Sequence, residues 1–349
     1  MEDTPIIHNF SHEAFGSRFW VRIAAEDGVY ARNAAEALFQ LLDDLDFQTD
    51  RRHDSGPVAS INQMPEGAMI AASEHVQALW NFSKDVSADT GKAFDVTAGA
   101  QFTYWKNRGE MPLNPDDQAW NQVMSAYRDG EFRLDGCELH CVRFGGAVDF
   151  GAIVRGYALD RMADMLESSW GIHRALLMAS GSVTLALDPP GESAGWRIGV
   201  GANSEIKLCR FAMASKTADT THGNLVDPRT GQVISLSGPV RSIATSALEA
   251  EGLAMAGAVL SAAEAEEFVN RGCSRGLWLP DGTKLGSVTY FEVTERPASE
   301  AKPTSAEEAA TWAWLRRRAA RSRGRPRKDR CPNRVVVRRP GARPATAGG

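Results

Sequence analysis

The stretch Asp149-Phe150-Gly151-Ala152-Ile153-Val154-Arg155-Gly156-Tyr157-Ala158-Leu159-Asp160 places the tightest limit on what this chain can fold into. An apolar, strand-like run from Gly146 to Phe150 gives way there to a helical pattern that continues to Ser169, and two glycines bracket the junction. The first N–H groups of a helix lack intrahelical partners, so donors converge at such a corner and the helix dipole adds partial positive charge. Gly151 and Gly156 would let the phosphates of a ligand approach the main chain, and Arg155 brings a full charge to the same place. The arrangement predicts anion binding. A plainer reading, a strand-turn-helix corner in which glycine only relieves crowding, fits the same residues.

The 349 residues suffice for one large domain or two ordinary ones, and 43% hydrophobic content is ample for a core. No apolar run approaches the roughly 18 residues needed to span a bilayer. Met1 to Trp20 lacks the basic region, apolar run and cleavage site of a secretory signal, so the expected location is the cytoplasm. The five cysteines, Cys137, Cys141, Cys209, Cys273 and Cys331, are odd in number and scattered, which predicts reduced thiols rather than disulfides or a zinc site. Charge divides the chain. From Arg316 onward thirteen Lys and Arg face one acid, Asp329, so the overall −5 combines an acidic body with a basic tail. After Val293 the composition turns to Pro, Ala, Glu and Ser and then Arg, too little apolar surface to offset ordering entropy, so residues 294–349 are expected to be largely disordered. The arginine run reads as a solvated extension rather than a nucleic-acid tether.

Along the body, Phe19 to Ala25 reads as a strand and Ala31 to Phe47 as an amphipathic helix with Ala35, Leu38, Leu42 and Leu45 at helical spacing. Ser73 is placed to cap a second helix that delivers the chain to Gly91-Lys92-Ala93-Phe94-Asp95. A short helix is expected from Asn114 to Tyr127, then strands near Phe132 and Leu139 to Phe144. Beyond the central helix, Ala175 to Ala179, Val183 to Leu187, Trp196 to Gly201 and Ile206 to Met213 read as strands of an antiparallel sheet. A strand from Val240 to Thr245 then feeds a helix from Leu248 to Leu260, with a further helix and short strands to Val293.

The central corner resembles the D-L-G-G-I-A-K-G-Y-A-V-D signature of the ApbE-type FAD:protein FMN transferases. Other landmarks of that family occur in the same order: Phe15-Gly16-Ser17, Gly91-Lys92-Ala93-Phe94-Asp95-Val96-Thr97, Asp227-Pro228-Arg229-Thr230-Gly231 and Ala250-Glu251-Gly252-Leu253-Ala254-Met255-Ala256. The resemblance implies an α+β, T-fold-like architecture of antiparallel sheets and packed helices over residues 10–293, followed by the tail. It implies transfer of the FMN half of FAD to a Ser or Thr hydroxyl of an acceptor protein, with release of AMP. Two other outcomes stay open on the residues: a flavin-binding carrier or regulator without turnover, and an FAD pyrophosphatase that passes FMN to water.

Carried over position by position, the resemblance implies flavin contacts from Phe15, Ala93, Phe94, Asp95, Gly151 and Tyr157. The family's Mg²⁺ ligands fall on the Val154 carbonyl, Glu251 and Met255. A glutamate is still a hard oxygen ligand, but a thioether is one that magnesium does not favour. The family's histidine in H-x-x-D-P-x-T-G falls on Asn224, which accepts no proton at neutral pH; His222 stands two residues earlier, and Asp227 is the remaining acid or base. Where the family has Gly-Gly and T-S-G, this chain has Gly91-Lys92 and Ala214-Ser215-Lys216. Lys92 and Lys216 are therefore expected to join Arg155 in taking over the charge of the magnesium ion around a bound diphosphate. The sequence holds no convincing copy of a flavinylation motif, so the acceptor is expected to be another protein.

Overall fold

A computed structural model of the chain describes residues 6–108, 117–201, 204–217, 225–272, 275–286 and 293–295. The elements follow in the order β1 (Ile7–Ala14), β2 (Ser17–Ala24), α1 (Gly28–Thr49), α2 (Pro57–Asn62), β3 (Met69–Ala71), α3 (Glu74–Asp89), α4 (Gly99–Arg108), α5 (Gln118–Asp129), β4 (Glu131–Asp135) and β5 (Glu138–Arg143). The central helix α6 (Val154–Trp170) then precedes β6 (Ala175–Ala179), β7 (Val183–Ala186), β8 (Trp196–Gly199), β9 (Ser204–Leu208), β10 (Phe211–Lys216), β11 (Val240–Ala244), α7 (Ala247–Gly257), α8 (Ala262–Asn270), β12 (Gly276–Trp278), β13 (Lys284–Gly286) and β14 (Thr294–Glu295).

Eight strands form one sheet in the order β1-β2-β6-β7-β10-β11-β12-β13, and every pairing in it is antiparallel. Both faces of its middle are covered, and the period-two alternation of strand side chains divides the residues between two cores. Ala175, Leu177 and Ala179 of β6, with Ala212 and Ala214 of β10, face the large core under α1, α6 and α7. Leu176 and Met213 face the other way and pack with Trp196, Ile198, Ile206 and Leu208 of the small sheet β14-β9-β8. The mixed helix and antiparallel-sheet class expected from the sequence is the one observed. Among the described residues no helix is long and apolar enough to cross a membrane.

Two expected strands differ in instructive ways. Ile206 to Met213 is not one strand: β9 ends at Leu208 and β10 begins at Phe211, and Arg210 between them has φ +57, a left-handed turn that moves the chain from the small sheet to the large one. Apolar residues of both strands serve the same core, but their phase shifts by one at exposed Arg210, from Ile206 and Leu208 to Phe211 and Met213. The run from Gly146 to Phe150 forms no ladder strand. It lies along residues 96–99 through a parallel bridge between Ala98 and Ala147, and Asn62 supplies the missing edge, its side chain accepting from the Val148 N–H at 2.7 Å and donating to the Val148 carbonyl at 2.9 Å. Thr294 and Glu295 pair with β9, so ordered chain continues past the expected boundary at Val293; residues 296–349, including most of the expected tail, lie outside the described residues. Cys137, Cys141 and Cys209 are free thiols, while Cys273 and Cys331 lie outside the described residues.

Helices α6 and α7 are joined at two points. Asp160 of α6 accepts from the Ala247 and Leu248 N–H groups at 2.7 and 2.9 Å, capping the first turn of α7 together with Ser246. Burial nevertheless pushes the Asp160 carboxyl up to about 6 from an ordinary 3.8, the two backbone donors opposing it. A carboxyl whose pKa is raised by folding takes up its proton in the native state first, so its contribution to stability grows as pH falls from about 6 towards 3.8, by roughly 3 kcal/mol in all. The expected outcome for Asp160→Asn is a stability deficit against wild type that is larger at pH 4 than at pH 7.5, read from urea midpoints at the two pH values; a deficit independent of pH would refute the assignment.

Candidate functional site

The corner that ends in α6 is closed by a carboxylate from α7. Glu251 accepts from the Gly156 N–H at 2.6 Å through one oxygen and faces Arg155 Nε at 3.4 Å with the other. Its side chain is only 4% exposed, and burial lifts its carboxyl above the ordinary range while Arg155, the Gly156 N–H and Lys216 pull the other way. Lys216 stands at the end of β10; burial first and Arg155 second bring its ammonium down to about 8, with Glu251 opposing. Charged side chains of α6 and α7 thus meet where the two helices touch.

Gly156 serves a different purpose from the one its place in the corner suggests. A Cβ there would lie 2.3 Å from the Ala247 carbonyl oxygen, so the absent side chain permits α6 and α7 to touch rather than a phosphate to approach. Gly151 is the glycine that remains open: its N–H donates to Asp149 Oδ1 at 2.8 Å, and that carboxylate is the only group a Cβ would meet. Asp149 is held in turn by Arg51 Nε at 2.7 Å.

The Ala93-Phe94-Asp95 segment follows α3 through two consecutive left-handed residues, Gly91 at φ +55 and Lys92 at φ +67. The Gly91 N–H bonds to the Ala88 carbonyl and the Lys92 N–H to that of Ser87, the pair that closes a helix C-terminus in the Schellman arrangement. Lysine is strained at such an angle. Its ammonium lies 6.0 Å from the centre of the Tyr127 ring. The buried Asp95 carboxylate accepts from the N–H and hydroxyl of Thr97 at 2.9 and 2.7 Å and from the Tyr127 hydroxyl at 3.0 Å, so it shapes the loop. Burial and the adjacent Asp95 push the Tyr127 phenol upward, leaving it a donor.

Asp227 opens a turn seated on the aromatic cluster of α4 and α5. Its carboxylate accepts from the backbone N–H and guanidinium of Arg229, which also reaches Glu264 at 3.0 Å. Trp105 Nε1 donates to the Gly231 carbonyl at 2.9 Å, and Gly231, at φ +72, lies directly against Trp120. The corner, the Phe94 loop, this turn and α7 meet around a small cavity lined by Phe94, Asp95, Asp149, Ala152, Pro228 and Met255.

Of the residues singled out in the sequence, Ala93, Phe94, Asp95, Gly151, Met255 and Asp227 therefore gather at or beside this cavity, while Arg155 and Glu251 pair across the α6–α7 contact and Lys216 ends β10. Val154 is the first residue of α6. Tyr157 turns into the contact between α3 and α6, its hydroxyl 2.8 Å from His75 Nδ1. Phe15, at φ +53, makes the two-residue hairpin turn from β1 to β2 with Gly16 and packs on Phe19. Asn224 and His222 lie outside the described residues. Sequence reasoning noted Asn62 only as part of a turn after α1 and gave no role to Arg51 or Tyr127; each positions the corner or its loop through a partner distant in sequence.

The ApbE family model matches residues 15–276. The chain belongs to the ApbE family. Among solved structures of the family, the apo flavinyl transferase ApbE of Pseudomonas stutzeri superposes with a TM-score of 0.69 at 21% identity, covering 85% of this chain and 97% of that one. The flavin transferase ApbE of Vibrio cholerae gives 0.70 at 19% identity, with 86% and 99% covered, and the ApbE protein of Thermotoga maritima 0.68 at 22%, with 82% and 98% covered. No curated protein matches the sequence.

The side chains at the family's metal positions do not suit magnesium. Both oxygens of Glu251 are committed, one to a main-chain N–H and one to a guanidinium, and Met255 presents only a thioether. Among the described residues no three His, Cys, Asp or Glu side chains cluster as a metal site.

Three substitutions check this geometry. Gly156→Ala is expected to cost about 2–3 kcal/mol through its clash with the Ala247 carbonyl, although alanine is the better helix former by about 1 kcal/mol, whereas Gly151→Ala is close to neutral. Tyr127→Phe leaves a buried Asp95 oxygen without its donor and is expected to cost about 1–3 kcal/mol. Equilibrium urea unfolding measures all three; equal effects at the two glycines would mean that the α6–α7 contact is not as described.

Proposed function

We propose that the protein is an FAD:protein FMN transferase whose acceptor is a Ser or Thr hydroxyl of another protein. The observation that carries this reading is the convergence of the Gly151 corner, the Ala93-Phe94-Asp95 loop and the Asp227 turn on one cavity, in a chain of the ApbE family. On this reading the isoalloxazine lies against Phe94 and the Asp95 loop, and the diphosphate faces Gly151 and Arg155. The acceptor oxygen forms a bond to the FMN phosphorus, the bond from that phosphorus to the bridging oxygen breaks, and AMP leaves with the electron pair. The hydroxyl proton passes to Asp227 or His222, while Asn224, in the family's histidine position, orients the acceptor. Positioning and charge neutralisation are the main contributions the protein makes.

A second reading is favoured by one feature. The closed Glu251 contact, with its oxygens turned to Gly156 and Arg155, suits a protein that holds a flavin nucleotide without turning it over. Incubation with FAD, with and without a flavin-acceptor domain, separates the possibilities. The transferase predicts in-gel flavin fluorescence on the acceptor after denaturation and one AMP per flavin transferred. Free FMN with AMP would mark a pyrophosphatase, and tight FAD binding without AMP a flavin holder. If Asp227 takes the proton, Asp227→Asn lowers the transfer rate about a hundredfold or more while His222→Gln does not; the reverse pattern assigns that role to His222.

A further inference from the structure

Helix α4 is short, yet it holds both the corner and the Asp227 turn. Gly99 and Thr103, one helical turn apart, serve the corner. The Gly99 N–H donates to the Ala147 carbonyl at 2.8 Å, and the Thr103 hydroxyl accepts from Arg51 Nη1 at 3.0 Å, the same guanidinium that holds Asp149 at 2.7 Å. A Cβ at Gly99 would lie 2.6 Å from the Ala147 carbonyl oxygen, so the helix starts directly against the corner. Gln101 and Trp105, also one turn apart, stand about 200° round the helix from the first pair. Gln101 Nε2 donates to the Pro228 carbonyl at 3.2 Å and Trp105 Nε1 to the Gly231 carbonyl at 2.9 Å, so α4 grips the turn near both of its ends.

Gln101 is the member of this set that packing alone does not explain. It is fully buried, and among the described residues its Oε1 has no hydrogen-bond partner. Turning the amide over brings no relief, because the oxygen would then face the carbonyl oxygen of Pro228. A buried acceptor without a donor destabilises the fold, and an apolar side chain of similar volume would avoid that cost. What the amide supplies in return is its bond to the turn that carries Asp227.

We infer that α4 is a strut fixing the distance between the Gly151 corner and the Asp227 turn, and that Gln101 is the positioning residue that pins the turn to it. The inference rests on the reading of the corner as the flavin-nucleotide seat and deepens it: Gln101 acts through the Pro228 carbonyl to hold Asp227 where the acceptor hydroxyl meets the FMN phosphorus. A misplacement of about 1 Å between reacting groups lowers a rate by about a hundredfold.

The test uses the full chain and the variants Gln101→Leu and Gln101→Met. Each removes the donor to Pro228 together with the unpaired oxygen, so melting temperatures are expected to stay within about 3 °C of wild type. Amide hydrogen exchange without flavin, read by mass spectrometry, is expected to quicken about tenfold or more over residues 225–234, where the Gly231 N–H closes the turn on the Asp227 carbonyl at 2.6 Å. Residues 154–170 of α6 are expected to exchange as in wild type. With FAD and a flavin-acceptor domain, kcat is expected to fall about tenfold or more while KM for FAD stays within about twofold, a split that general destabilisation does not produce. Unchanged exchange over residues 225–234, or a large fall in melting temperature in both variants, would overturn the inference. Faster exchange there in a protein that binds FAD and transfers nothing would leave the strut standing while the transferase reading fell, and transfer at the wild-type rate by both variants would do the opposite.

Discussion

The contact between α6 and α7 at Gly156 is the constraint on which the rest of the site depends. Two helices can approach so closely only where one of them has no side chain, and the Ala247 carbonyl occupies the space a Cβ would need. That approach brings the Glu251 carboxylate to the first turn of α6, where an N–H of the helix lacks an internal partner, and it brings Asp160 to the equivalent turn of α7. Each helix therefore caps the other. The reciprocal arrangement satisfies donors that would otherwise be buried unpaired, and it fixes the angle at which the corner opens towards the cavity.

The large sheet sets where the other components stand. Because β10 lies between β7 and β11 and packs against α7, its residues reach the helix that closes the corner without any local sequence link to it. The small sheet on the far face makes β6, β7 and β10 inner strands with both faces covered, which holds the strand ends rigid. Functional side chains on such ends are placed by the register of an eight-stranded ladder rather than by a mobile loop.

Backbone strain is confined to few places among the described residues. Phe15, Lys92 and Arg210 are the described non-glycine residues at positive φ, and two of them, Phe15 and Lys92, belong to segments that carry family landmarks. The strain at Lys92 is tolerated because the Schellman closure of α3 and the Asp95 turn bracket it with hydrogen bonds. At Arg210 the turn has a different use, transferring the chain between sheets, and Glu167 and Asp188 hold the guanidinium.

The sequence by itself determined most of the local structure, since periodicity and capping are short-range properties. The Leu38, Leu42 and Leu45 stripe, the Ser73 cap and the short apolar run of Ala175 to Ala179 all act within a few residues, and the helices and the strand appear as expected. The ordered motifs likewise made the family legible, because their residue types and order do not depend on knowing the packing. What only the tertiary structure decided is the use of those residues. Gly156 serves a helix contact instead of a phosphate, Glu251 caps a helix instead of presenting free oxygens, and Asn62 completes an edge for a run that resembled a strand. Each outcome depends on a partner 80 or more positions away, with |i−j| of 95 for Glu251 and 86 for Asn62. A linear pattern carries the chemistry of a side chain but not the distance to its partner, and at this site the distance determines which chemistry is available.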